Sequence, residues 1–179
     1  MTEELLNQIY ENVDQEEGRV PWLYRDNAVE GNATCAAGHL VASYAVAQAI
    51  PFDPPIEPEE WEALMDAPVG MKASFYQKYT LGRLTDPQID ALRDADVAES
   101  NEELRRQFPQ FDSWPDGVQA ALVDMEFNLG LEGLLKFHKL MAALEAEDWT
   151  VCSLECHRRG ISEERNKWTA TLFLGPMNS

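Results

Sequence analysis

The side chains that could do chemistry lie close together near the start of the chain. Glu17-Gly18 is followed by Tyr24, Asp26, Gly31, Thr34 and Gly38-His39, all within residues 17–39. Two carboxylates nine positions apart suggest acid/base work on a bond held between them. Cleaving a glycosidic bond needs that pair: one carboxyl, protonated, donates to the leaving oxygen, and the other orients water or attacks. The pair must sit on different elements to face each other across a cleft. With 32 acidic residues in the chain, spacing alone makes chance pairs common, so the surrounding elements decide its worth.

Those elements can be read from pattern. Thr2 is placed to cap a helix whose apolar face is Leu5, Leu6, Ile9, Tyr10 and Val13, and Gly18 is placed to stop it. Glu17 then ends a helix. From Pro21 to His39, aromatic and β-branched residues alternate with Asn, Gly and Asp, which predicts a short antiparallel sheet or hairpin with turn chemistry at Asp26-Asn27 and Gly31-Asn32. Asp26 falls in that sheet region, on a different element from Glu17. Leu40 to Ile50 reads as a helix closed by Pro51, and four prolines in 51–58 demand an irregular loop. Residues 59–80 read as helical with a break at Pro68–Gly70. Thr85-Asp86-Pro87 opens a short helix to about Asp96, and Glu102–Gln107 forms a separate turn. Further on, Asp116 caps a helix ended by Gly130, and helices follow over 133–147, Trp149–Arg159 and Ser162–Leu174. The expected class is α+β in one domain: a small N-terminal lobe with a sheet (1–50), a middle segment (51–114) and a helical C-terminal lobe (115–179).

Charge narrows the partners. A net charge of −18 repels nucleic acid and anionic lipid, so neither is expected. Acids outnumber bases 12 to 2 in residues 1–60 but only 9 to 6 in 121–179, so any basic rim for an anionic polymer is expected among Lys136, Lys139, Arg158 and Arg159. No apolar run approaches the ~20 residues of a membrane helix, and the N-terminus does not read as a secretory signal. Synthesis in a cytoplasm is therefore expected. The cysteines at 35, 152 and 156 make no even disulfide framework and lack a zinc ligand set, so buried free thiols are expected and no metal or cofactor. His138 and His157 read as surface or packing residues.

The string from Glu17 to His39 resembles the catalytic motif of phage-type lysozymes, glycoside hydrolase family 24: Glu-Gly, an aromatic shortly before Asp, a Gly-containing turn, then Thr and Gly-His. Asp124-Met125-Glu126-Phe127-Asn128-Leu129-Gly130 resembles the family's helix of cleft-lining aromatic and amide side chains, and Phe137, Trp149, Arg165, Trp168 and Phe173 fall at matching spacings. The resemblance covers about 1–40 and 115–175. It implies a lysozyme-like fold and hydrolysis of the β-1,4 bond between N-acetylmuramic acid and N-acetylglucosamine, with inversion. Glu17 becomes the acid, and Asp26 and Thr34 hold the attacking water. Leu40, Phe127 and Asn128 become glycan contacts. Arg165 pairs with Glu17, and Tyr24 and His39 support the site. The same resemblance implies peptidoglycan strands as partner, virion or tail proteins as further partners, and delivery through a holin-type pore or on a particle. A lytic transglycosylase and an inactive wall-binding relative of the fold are the alternatives. Two departures stand out. The interval from Asp26 to Thr34 is longer than in the best-known members, and Ala36 stands where the family has glycine.

Overall fold

A computed structural model describes residues 1–26 and 31–175. The Asn27 half of the expected Asp26-Asn27 turn lies outside the described residues. The class is α+β, with one three-stranded antiparallel sheet and nine α-helices among the described residues. The chain divides into two compact units, Val13–Ala95 and Met1–Asn12 with Asp96–Ser179. The middle segment thus splits, 51–95 packing with the sheet.

Helix α1 (Glu3–Glu17) ends where expected; Thr2 caps its start, its hydroxyl accepting the Leu5 N–H at 3.3 Å, and its residues from Val13 on belong to the sheet unit. Strands β1 (Val20–Arg25), β2 (Ala33–Ala36) and β3 (His39–Leu40) follow in spatial order. The register pairs Tyr24 with Thr34 and Thr34 with Leu40, and an irregularity between Val20 and Tyr24 bends β1. Leu23, Cys35 and Ala36 of the sheet pack with Ile50, Phe52, Leu64, Tyr76 and Ile89 into the core. Ala36 is strained. It holds φ at 52°, the left-handed region in which a Cβ is unfavourable by about 1–2 kcal/mol.

Helix α2 (Tyr44–Ala49) starts later than expected, because Leu40 pairs in β3 and Ser43 supplies the cap. Helix α3 (Pro58–Met65) opens on a capping box between Glu57 and Glu60, and α4 (Ala73–Tyr76) follows the expected break. Helix α5 (Asp86–Gln107) corrects the expectation of two pieces. Residues 97–101 hold no breaker, and buried Val97, Ser100 and Leu104 continue one helical stripe through the interval.

The helical unit is built around α6 (Asp116–Leu135), whose residues 118–126 are all buried. A helix buried on every side over two turns belongs in a core, and its polar members there must find partners inside it. Pro115, not Asp116, is its cap, and Gly130 leaves helical geometry (φ 66°, ψ 162°) as expected. The five residues beyond close with Lys136 and Phe137 N–H groups on the carbonyls of Gly133 and Leu134, so the expected helix over 133–147 is interrupted. Helices α7 (His138–Glu145), α8 (Trp149–Glu155) and α9 (Glu163–Leu174) complete the unit. α8 stops short of Arg159 because the Arg158 backbone N–H turns to Asn166 Oδ1 at 2.9 Å.

Inside this unit Asp124, fully buried, binds two arginines. Arg158 reaches its carboxylate and its carbonyl, and Arg165 Nε donates to Oδ1 at 2.8 Å. Thr169 adds a 2.9 Å hydrogen bond. Arg158 is 1% exposed and cannot belong to a basic rim, which corrects that expectation. Burial pulls its guanidinium down from the usual arginine range, against the pull of Asp124. Removing one partner from such a cluster costs about 3–5 kcal/mol. Asp124→Asn should therefore lower Tm by about 10 °C in a thermal melt followed by circular dichroism. A fall of only a degree or two would show that the two guanidiniums do not depend on this carboxylate.

Candidate functional site

The position of Glu17 follows from how α1 ends. Gly18 bonds back to the Asp14 carbonyl at 3.1 Å and carries a positive φ, so the chain turns sharply into β1. Arg19 then clamps the turn. Its Nη1 lies 2.7 Å from both Asp14 and Asp90, and its Nη2 lies 3.3 Å from Asp86. Arg93 adds a second cation against Asp14 at 2.7 Å. The hydrogen bonds to Asp90 and Asp14 and the charges around it push the Arg19 guanidinium upward, against its partial burial. Glu17 is thus carried on a helix end with little freedom.

Its side chain is confined from the sheet side. Gly38, in the turn between β2 and β3, has φ +86°, and a Cβ built there would stand 3.2 Å from Glu17 Cγ and 3.4 Å from Oε2. Any larger residue would meet the carboxylate stem. The motif's third Gly is therefore a packing surface for its first acid, a link that residue spacing does not reveal.

Asp26 closes the opposite end of β1. Its backbone N–H donates to Asn32 O at 2.9 Å, and its Oδ1 accepts the Asn32 backbone N–H at 2.9 Å. Oδ2 accepts from Asn32 Nδ2 at 3.3 Å. Thr34, 5% exposed, donates its hydroxyl to the same Asn32 carbonyl at 3.3 Å. Asn32 therefore joins the expected water-holding pair. Tyr24 feels both acids: burial first, then the charges of Glu17, Cys35 and Asp26, push its phenol well above the usual tyrosine range.

Glu17, Tyr24 and Asp26 line one cleft of about 500 Å³, together with Glu16, Val20, Arg25 and residues 70–73. The far wall, Gly70 to Ala73, was not foreseen, and three side chains hold it. Arg25 Nη1 donates to the carbonyls of Met65 and Ala67 at 2.7 and 2.6 Å while its Nε donates to Gly31 O at 2.8 Å. Trp22 Nε1 donates to Ala73 O at 2.9 Å, and the Tyr76 hydroxyl donates to Pro68 O at 2.6 Å. Gly31 packs against Val69 so closely that a Cβ there would lie 2.6 Å from Val69 Cγ2. The sequence signals available were Arg25 beside Asp26 and the Pro68–Gly70 break.

The other expected residues are distributed as follows. His39 is half-buried on β3, and Leu40 beside it is 54% exposed. Phe127 and Asn128 are half-buried near the end of α6, and Arg165 is buried on Asp124. Glu126, in the same motif, is 5% exposed, and burial raises its carboxyl above the usual range, with the Ser100 hydrogen bond opposing. His138 and His157 are exposed, the latter 3.1 Å from Glu163. The three cysteines are free and buried, and burial pushes Cys152 up to about 12 and Cys156 to about 11. Among the described residues no group of three His, Cys, Asp or Glu side chains could hold a metal ion.

No family model matches the chain, and no curated protein is significantly similar to it in sequence.

The raised Tyr24 phenol makes stability depend on pH. Above about pH 10 an unfolded tyrosine ionises, whereas folded Tyr24 keeps its proton. Its contribution is fully present below that pH and is lost as pH rises toward the folded value. Tyr24→Phe should flatten the alkaline fall in the urea midpoint relative to wild type between pH 9 and about pH 11. Parallel curves for the two proteins would show that Tyr24 titrates normally.

Proposed function

We propose that the chain is a peptidoglycan hydrolase, cleaving the β-1,4 bond between N-acetylmuramic acid and N-acetylglucosamine by acid-assisted attack of water. The observation that carries the reading is the cleft that Glu17 and Asp26 line from two different elements, the end of α1 and the end of β1, together with Tyr24. The family resemblance of residues 17–39 supplies the reaction.

In this reading Glu17 is the general acid. It must reach the glycosidic oxygen protonated in order to donate to the leaving group. Asp26 is the base that orients water. Asn32 holds its carboxylate in place by two hydrogen bonds. Thr34 holds the attacking water together with Asp26, its hydroxyl placed by the Asn32 carbonyl to which it donates. Leu40 offers exposed apolar surface to a sugar ring. The held second carboxylate favours water as nucleophile over internal capture of the muramyl hydroxyl, so a hydrolase fits better than a transglycosylase. The wall as substrate calls for delivery through a holin-type pore or from a phage particle.

Glu17→Gln should lower lysis of chloroform-treated Gram-negative cells by about 10²–10⁴-fold with an unchanged thermal melt, because the amide cannot donate the proton. A variant keeping half the wild-type rate would sink the assignment. Mass spectra of the released muropeptides should lack anhydro-sugars; their presence would turn the reading to a transglycosylase. Gly38→Ala tests positioning. The added Cβ presses on Glu17 at 3.2 Å, so kcat should fall about tenfold or more while KM changes little. Equal kcat in the two proteins would dissociate Gly38 from the acid.

A further inference from the structure

The wall of the cleft opposite the acids carries a cation whose use the hydrolytic steps leave open. The lining residues Glu16, Glu17 and Asp26 are acidic, and Arg25 and Lys72 are basic. Arg25 spends its guanidinium on the carbonyls of Gly31, Met65 and Ala67, which is structural work. Lys72 is exposed, and among the described residues its ammonium has no ion pair or hydrogen bond. Its backbone is nevertheless held in place. Next to it, Met71 N–H reaches the Tyr76 hydroxyl at 3.4 Å and Ala73 O accepts the Trp22 indole at 2.9 Å. Met71, 40% exposed, adds an apolar surface at the same lip.

An acid-lined cleft on a chain of net charge −18 repels an anionic ligand unless a local cation offsets the field. A neutral glycan needs no such offset. The two sugars of the proposed substrate differ in this respect, because only the muramyl unit bears a lactyl group, which ends in a carboxylate or in a peptide with carboxylates of its own. We propose that Lys72 is a specificity residue that pairs with a carboxylate on the muramyl side of the glycan, with Met71 against the sugar face. The inference rests on the hydrolase reading for the identity of the glycan.

Equilibrium binding tests it, followed by NMR titration of the full chain with three probes: N-acetylmuramic acid, muramyl dipeptide and the neutral N,N′-diacetylated chitobiose. Wild type should bind the carboxylate-bearing probes more tightly than chitobiose. Lys72→Gln should weaken only those, by about fivefold, the weight of one exposed ion pair, and Lys72→Arg should restore them. A larger loss on muramic acid assigns the lactyl carboxylate, and a larger loss on the dipeptide assigns the peptide. Failure of wild type to bind the carboxylate probes, no preference over chitobiose, or an equal loss on all three in Lys72→Gln overturns the proposal. Turnover is read separately as reducing ends released from purified wall. A chain that shows the binding preference yet releases none overturns the hydrolase reading while Lys72 keeps its role.

Discussion

The guanidinium of Arg25 joins parts of the chain some forty residues apart. Its donors span the Gly31 carbonyl in the connection from β1 to β2 and the carbonyls of Met65, the last residue of α3, and Ala67. Buried carbonyls are costly without donors, and hydrogen bonds from a charged group are stronger than neutral ones. That fork is why the 68–73 segment lies across from β1 and why a cleft exists beside Glu17 and Asp26. A lysine could supply the charge but not the planar set of donors. The tight fit of Gly31 on Val69 belongs to the same arrangement, since no side chain fits between the two segments.

Positive charge is scarce in this chain, with 14 basic residues against 32 acidic ones. Most of the arginines are committed inside it. Arg19 and Arg93 gather Asp14, Asp86, Asp90 and Asp94 around the turn after α1, and Arg158 and Arg165 share Asp124 in the helical unit. Acidic surface therefore dominates what a ligand meets, and the exposed lysines gain weight. Lys72 is the one that stands in the cleft lining.

The site also explains why its glycines are where they are. Gly38 has to adopt a positive φ and at the same time leave room for Glu17 Cγ, two demands that no other residue meets together. Ala36, two residues earlier, accepts the first kind of strain without the second. The hairpin is thus under local strain on the strand beside the acids, held by the core around Leu23 and Cys35.

Local pattern determined much of this protein. The apolar stripe and stop of α1, the alternation that makes the sheet, the proline loop and the Gly130 break all arise from interactions within a few residues, so they could be read directly. So could the placement of Glu17 and Asp26 on separate elements. Tertiary structure decided the rest, because the contacts involved are long-range. Asn32 as holder of Asp26, Gly38 as the surface behind Glu17, and the 70–73 wall depend on pairing and packing that no periodicity encodes. Arg158 shows the limit most plainly. By composition it is a surface cation, yet it is buried because Asp124 and Thr169, 34 and 11 positions away in the chain, offer it acceptors that offset its lost hydration.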